Sequence, residues 1–147
     1  MSGIQALQAK LKQENIDAML IASEENRRYL SGFTGTFGYV LLSQSEGWFF
    51  TDSRYTEAAG RYVQDAEIRE ANREHPYSAL INEVIEKEHI TRMGYEDEYM
   101  TAADFRRFSE KLHCELVPAT ELLWTLRAVK DQAELDCMIQ AQRIAEK

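Results

Sequence analysis

Apolar residues recur along this chain with two different periods, and the switches between them outline its elements. Ile4, Leu7 and Leu11 share a helical stripe behind Ser2, a residue suited to capping; the spacing predicts an amphipathic helix ending near Asn15. Residues 18–22 form a short apolar run of the kind found in strands buried on both faces. Ser23 is placed to cap a short helix through Leu30, and Gly32 to stop it. Residues 39–42 and 48–51 read as strands, with Ser45-Glu46-Gly47 as a hairpin turn between them. Asp52 or Ser53 is the expected cap of a helix carrying Tyr55, Ala58, Ala59 and Tyr62, and residues 67–70 give a weaker strand.

The second half repeats the alternation. Pro76 opens a helix with Leu80, Ile81, Val84 and Ile85 on one face, a position that suits proline. Residues 92–95 and 115–118 are strands, and Pro118 places the latter at an edge or an end. Between them, Thr101 and Asp104 approximate a capping box before Phe105, Phe108 and Leu112. A short helix is expected over residues 121–126. Asp131 with Glu134 then caps a last helix carrying Leu135, Met138, Ile139 and Ile144. Helices alternating with strands, with one hairpin, predict an α/β fold with a mixed sheet flanked by helices. The expected boundary falls at residues 127–130, dividing the chain into 1–128 and 129–147.

Composition narrows the functional classes. The net charge of −8 opposes binding to nucleic acid or an anionic membrane surface. The two cysteines, Cys114 and Cys137, are far apart and in no metal-binding spacing, which fits a reducing, cytoplasmic setting. His75, His89 and His113 make no metal-ligand pattern and read as surface or helix-end residues. Asp97, Glu98, Glu86 and Glu88 sit in polar runs and read as solvated faces.

Two segments hold more than packing signals. Gly32-Phe33-Thr34-Gly35-Thr36-Phe37-Gly38 spaces three glycines evenly with aromatics between them. It lacks the terminal Gly-Lys-Ser/Thr of a phosphate loop and runs from helix to strand, the reverse of that motif. It reads either as a helix stop with a tight strand entry or as a loop whose aromatics cover a ligand. Asp52-Ser53-Arg54-Tyr55 reads as a cap with a salt bridge from Arg54, or as an arginine aimed at a carboxylate, which its planar fork suits.

Four motifs in order then carry a family resemblance. They are Asn26-x-Arg28-Tyr29-Leu30-x-Gly32-Phe33-Thr34-Gly35, Thr51-Asp52-x-Arg54-Tyr55, Gly94-Tyr95-Glu96, and Leu126-Arg127-x-Val129-Lys130-Asp131. Together they resemble the N-terminal domain of the creatinase/prolidase family, the Xaa-Pro dipeptidases and aminopeptidases P. The resemblance implies a ribonuclease H-like topology. It implies a parent with a C-terminal pita-bread domain, whose two divalent metal ions (Mn, Co or Zn) sit on two Asp, one His and two Glu that have no counterparts here. The helix from Asp131 resembles the first helix of that domain.

The resemblance further implies a homodimer that hydrolyses the bond before proline in peptides, this chain being inactive alone. A loop of the N-terminal domain would cover the partner subunit's active site, and Phe33, Thr34, Gly35, Thr36 and Phe37 match it. Arg54 and Tyr55 match the family with a supporting role. Two other readings stay open: a free-standing binding module of the same fold, and the N-terminal domain of a creatinase-like amidinohydrolase.

Overall fold

The computed structural model describes residues 2–147. Six strands form one mixed sheet in the order β4-β3-β2-β1-β5-β6: β1 (Ala18–Ile21), β2 (Tyr39–Ser43), β3 (Gly47–Asp52), β4 (Glu67–Ala71), β5 (Arg92–Tyr95) and β6 (Glu115–Pro118). β2 runs antiparallel to both its neighbours, whereas β3–β4, β1–β5 and β5–β6 are parallel. Pro118 ends an edge strand, as its missing donor requires.

The alternation of side chains along the strands splits the core in two. Met19, Ile21, Val40, Leu42 and Phe49 face one side. There they meet α1 (Gly3–Gln13), α2 (Glu24–Ser31), α3 (Thr56–Tyr62) and α6 (Thr120–Ala128) through Leu7, Leu30, Ala59 and Leu123. Ala18, Leu20, Leu41, Trp48 and Phe50 face the other side, under α4 (Tyr77–Lys87) and the end of α5 (Ala102–Lys111). The central strands β1, β2 and β3 are thus buried on both faces, which explains their unbroken apolar runs.

Two expectations need adjustment. α3 begins at Thr56, with Tyr55 as an N-cap residue that makes no side-chain cap bond. Asp52 does not cap it: its carboxylate accepts the Arg54 amide at 3.0 Å, forming a local turn that delays the helix by one residue pair. α6 starts earlier than its apolar spacing indicates, because Asp97 accepts the Thr120 amide at 3.0 Å and caps it from another element. Burial raises the Asp97 pKa, but hydrogen bonds from Thr120 outweigh that and hold it below the usual range.

The last helix, α7 (Gln132–Ala145), has the expected capping box, with Asp131 and Glu134 bonded reciprocally to each other's backbone amides. None of its residues is buried, and Leu135, Met138, Ile139 and Ile144 are exposed.

Candidate functional site

The carboxyl ends of β1, β3 and β5 and the amino end of β2 meet at one edge of the sheet. In open α/β sheets this edge is where sites form. Here it is organised around Glu96, just past β5 and only 1% exposed. One carboxylate oxygen accepts the backbone amides of Ala22 and Ser23 at 2.6 and 2.8 Å. The other accepts the Ser23 hydroxyl and the Asn26 side-chain amide, each at 2.6 Å. The negative charge thus lies at the amino end of α2, where the exposed amides and helix dipole favour it. Asn26 passes the connection on by accepting from Arg127 of α6 at 3.2 Å. Asn26, Glu96 and Arg127, from three of the four sequence motifs, therefore form one network.

Arg27 is the second fixed point. It is 3% exposed, and its guanidinium donates to the carbonyls of Ala22 (3.2 Å), Gly38 (2.7 Å) and Gly35 (3.1 Å). It clamps the middle and the β2 end of the loop that joins α2 to β2 and ties them to the segment before α2. Glu96 enters the sequence reading only as the last residue of the Gly94-Tyr95-Glu96 motif, with no sign of its bonding partners, and Arg27 does not stand out at all. Glu96 opens an acidic run, and Arg27 lies beside exposed Arg28. One signal was available for Arg27: it precedes Leu30 by three residues and so occupies the stripe of α2 that faces the core.

The loop itself divides its aromatics. Phe33 is buried, at 3% exposure, edge-on to Phe49 (5.1 Å) and Tyr55 (6.0 Å). Phe37 is 40% exposed and leans on Tyr39 (5.9 Å) and Tyr77 (5.5 Å). Thr34 and Thr36 are exposed, and the Thr36 and Tyr55 hydroxyls share a hydrogen bond of 2.6 Å. Gly35 is required by the packing of Phe33, since a Cβ there would lie 2.3 Å from that ring. Gly38 has φ +154°, and a Cβ would approach the Phe50 carbonyl to 2.9 Å. Arg54 lies over the Tyr55 ring, 5.2 Å from its centroid, at the border of this cluster. It grips Asp52 through two bonds of 2.9 and 2.7 Å, which, ahead of other causes, hold that carboxyl below its usual range. Among the described residues, the carboxylate that Arg54 engages is thus that of Asp52, two positions before it.

Beside Phe37 opens a groove of about 500 Å³ between the loop, Tyr39, the start of α4 and α5. Tyr39 stacks edge-on with Tyr77 (5.1 Å) and Phe108 (5.6 Å), making an aromatic wall. The Tyr77 hydroxyl is shielded and has no partner among the described residues; burial chiefly pushes its pKa up to about 12. No three His, Cys, Asp or Glu side chains come together as a metal site among the described residues. The metal ions implied by the motifs therefore find no ligand set among the described residues.

Comparison with known proteins matches the chain to one family. The family model described as the creatinase/prolidase N-terminal domain matches residues 4–129. The uncharacterized peptidase YqhT of Bacillus subtilis is 36% identical over 138 residues, covering 91% of this chain and 38% of that protein. The structure is similar to an Xaa-Pro dipeptidase from Bacillus anthracis, with a TM-score of 0.84 and 28% identity over 90% of this chain and 37% of the other. It is also similar to the N-terminal domain of cytoplasmic peptidase PepQ from Mycobacterium tuberculosis, with a TM-score of 0.73, 26% identity, and coverage of 84% and 96%. The chain thus spans well under half of the first two.

Proposed function

Because this chain belongs to the creatinase/prolidase N-terminal domain family, we propose that it serves as the non-catalytic N-terminal domain of a dimetal Xaa-Pro peptidase of the prolidase type. Residues 1–128 form that domain, and residues 129–147 lead into the catalytic part as linker and first helix. The metal ions (Mn, Co or Zn) and the hydrolysis of the bond before proline belong to the rest of the protein. The domain's contribution is to support a homodimer and to close the substrate pocket, in the cytoplasm. Among the described residues no helix is long and apolar enough to cross a membrane.

The observation that carries this reading is the construction of the loop. Arg27 and buried Phe33 fix its base, while Thr36 and Phe37 remain presented outward. A rigid base with an exposed aromatic tip suits a wall that excludes water from a neighbouring site. In the full-length dimer, Phe37→Ala is expected to lower kcat/KM on Xaa-Pro peptides by about tenfold, the scale of one lost apolar contact, without lowering thermal stability. Unchanged kcat/KM would refute the lid role. The chain of 147 residues alone is expected to cleave no Xaa-Pro peptide with Mn²⁺, Co²⁺ or Zn²⁺.

A further inference from the structure

The groove beside Phe37 has the opposite sign to the molecule around it. The chain carries a net charge of −8, yet three cations, Arg27, Arg107 and Lys111, line the groove against one carboxylate, Asp104. That carboxylate is already engaged by Arg107. Among the described residues Lys111 makes no ion pair, and Arg27 finds carbonyl oxygens but no carboxylate. Burial strips a guanidinium of hydration worth several kcal/mol. Carbonyl dipoles offset part of that without cancelling the charge. The groove therefore keeps a positive field, which its low-dielectric walls focus.

The walls themselves are aromatic. Phe37, Tyr39, Tyr77 and Phe108 meet edge to face or tilted rather than in a closed stack. Phe37 in particular leaves ring surface open. At about 500 Å³ the groove falls within the usual range for small-molecule sites, roughly 300–1,000 Å³.

We propose that this groove binds an organic carboxylate with a planar apolar body. Lys111 and Arg107 take the carboxylate at the rim, above buried Arg27, and the body lies against Phe37, Tyr77 and Phe108. An inorganic anion would answer the cations but leave the rings wet. A neutral aromatic would cover the rings but leave the field unanswered. The carboxylate comes either from a free aromatic acid or from the C-terminal residue of a short peptide. The site requires only this domain, whatever activity the longer protein has.

The test is an NMR titration of the ¹⁵N-labelled chain with phenylacetate, glycyl-phenylalanine, phenylacetamide and acetate. One or both aromatic acids are expected to shift the amides of Phe37, Tyr39, Tyr77 and Phe108 saturably, with Kd below about 1 mM. The neutral amide and acetate should bind at least about tenfold more weakly. The tighter of the two acids identifies the source of the carboxylate. Arg107 and Lys111 are exposed, so R107Q and K111Q should preserve the rest of the spectrum. Each should weaken acid binding by about threefold or more while leaving phenylacetamide unaffected. Equal affinity for acid and amide, shifts away from the groove, failure to saturate, or unchanged affinity in the double variant would overturn the site.

Discussion

α1 and α7 are built from the same local instructions and meet different fates. Each opens with a reciprocal capping box, Ser2 with Gln5 and Asp131 with Glu134, and each carries apolar residues at helical spacing. α1 buries Ile4, Leu7 and Leu11 against the sheet, α2 and α6. α7 is longer, 14 residues against 11, and buries none. Caps and periodicity therefore specify that a helix forms, and say nothing of whether its stripe finds a partner within the same chain. An apolar stripe with a complete cap and no cover among the described residues is what the proposal above, of a helix leading into a longer protein, draws on.

The largest test of this contrast is a pair of truncations. Leu7→Ala removes a fully buried side chain and is expected to cost about 2–5 kcal/mol in urea unfolding. Ile139→Ala, on the exposed stripe, should stay within about 0.5 kcal/mol. Similar losses at both sites would mean that α7 packs in solution.

A second test attacks what holds the partner of α1 in place. α6 is tied to α2 through Arg127, Asn26 and Glu96. Glu96→Gln points an amide group at donors that now find a carboxylate, and should cost about 1–3 kcal/mol. A stability equal to the parent chain would show the network to be dispensable. The smallest effect comes from the caps. Ser2→Ala is expected to lower global stability by about 0.5–2 kcal/mol, because α1 is part of the core. Asp131→Ala should reduce far-UV helicity while leaving the urea midpoint unmoved. A shifted midpoint would again tie α7 to the folded body.

Much of the architecture was legible because it rests on local pattern. The buried runs of β1, β2 and β3, the stripes of α1 and α4, and the stop at Gly32 all follow from residues within a few positions of one another. The site was less legible because its bonds are long-range. Glu96 meets Ala22 across 74 residues and Asn26 across 70. The sequence places it in the Gly94-Tyr95-Glu96 motif, but nothing within a few positions tells which groups its carboxylate binds. Phe33 and Phe37 lie on one glycine-spaced loop, and the positions of Phe49 and Tyr55 against Phe33 separate the core residue from the exposed one. The start of α3 was misplaced for a local reason, since Asp52 serves equally well as a helix cap or as the acceptor of a turn.

The place of β1 in the sheet has a consequence for the order of assembly. Its pairing with β2 joins segments about twenty residues apart, whereas its parallel pairing with β5 joins Ala18 to Met93. During synthesis from the N-terminus, the β1–β4 half can form while one long edge of β1 still lacks its neighbour. That edge is apolar on both faces, with none of the charges or prolines that blunt permanent edges. Only when β5 emerges, carrying Glu96 just behind it, is the edge paired and α2 fastened over it. The interval before that is when the nascent chain is most open to wrong pairing, and a chaperone or slow translation acting there would have the greatest effect on yield.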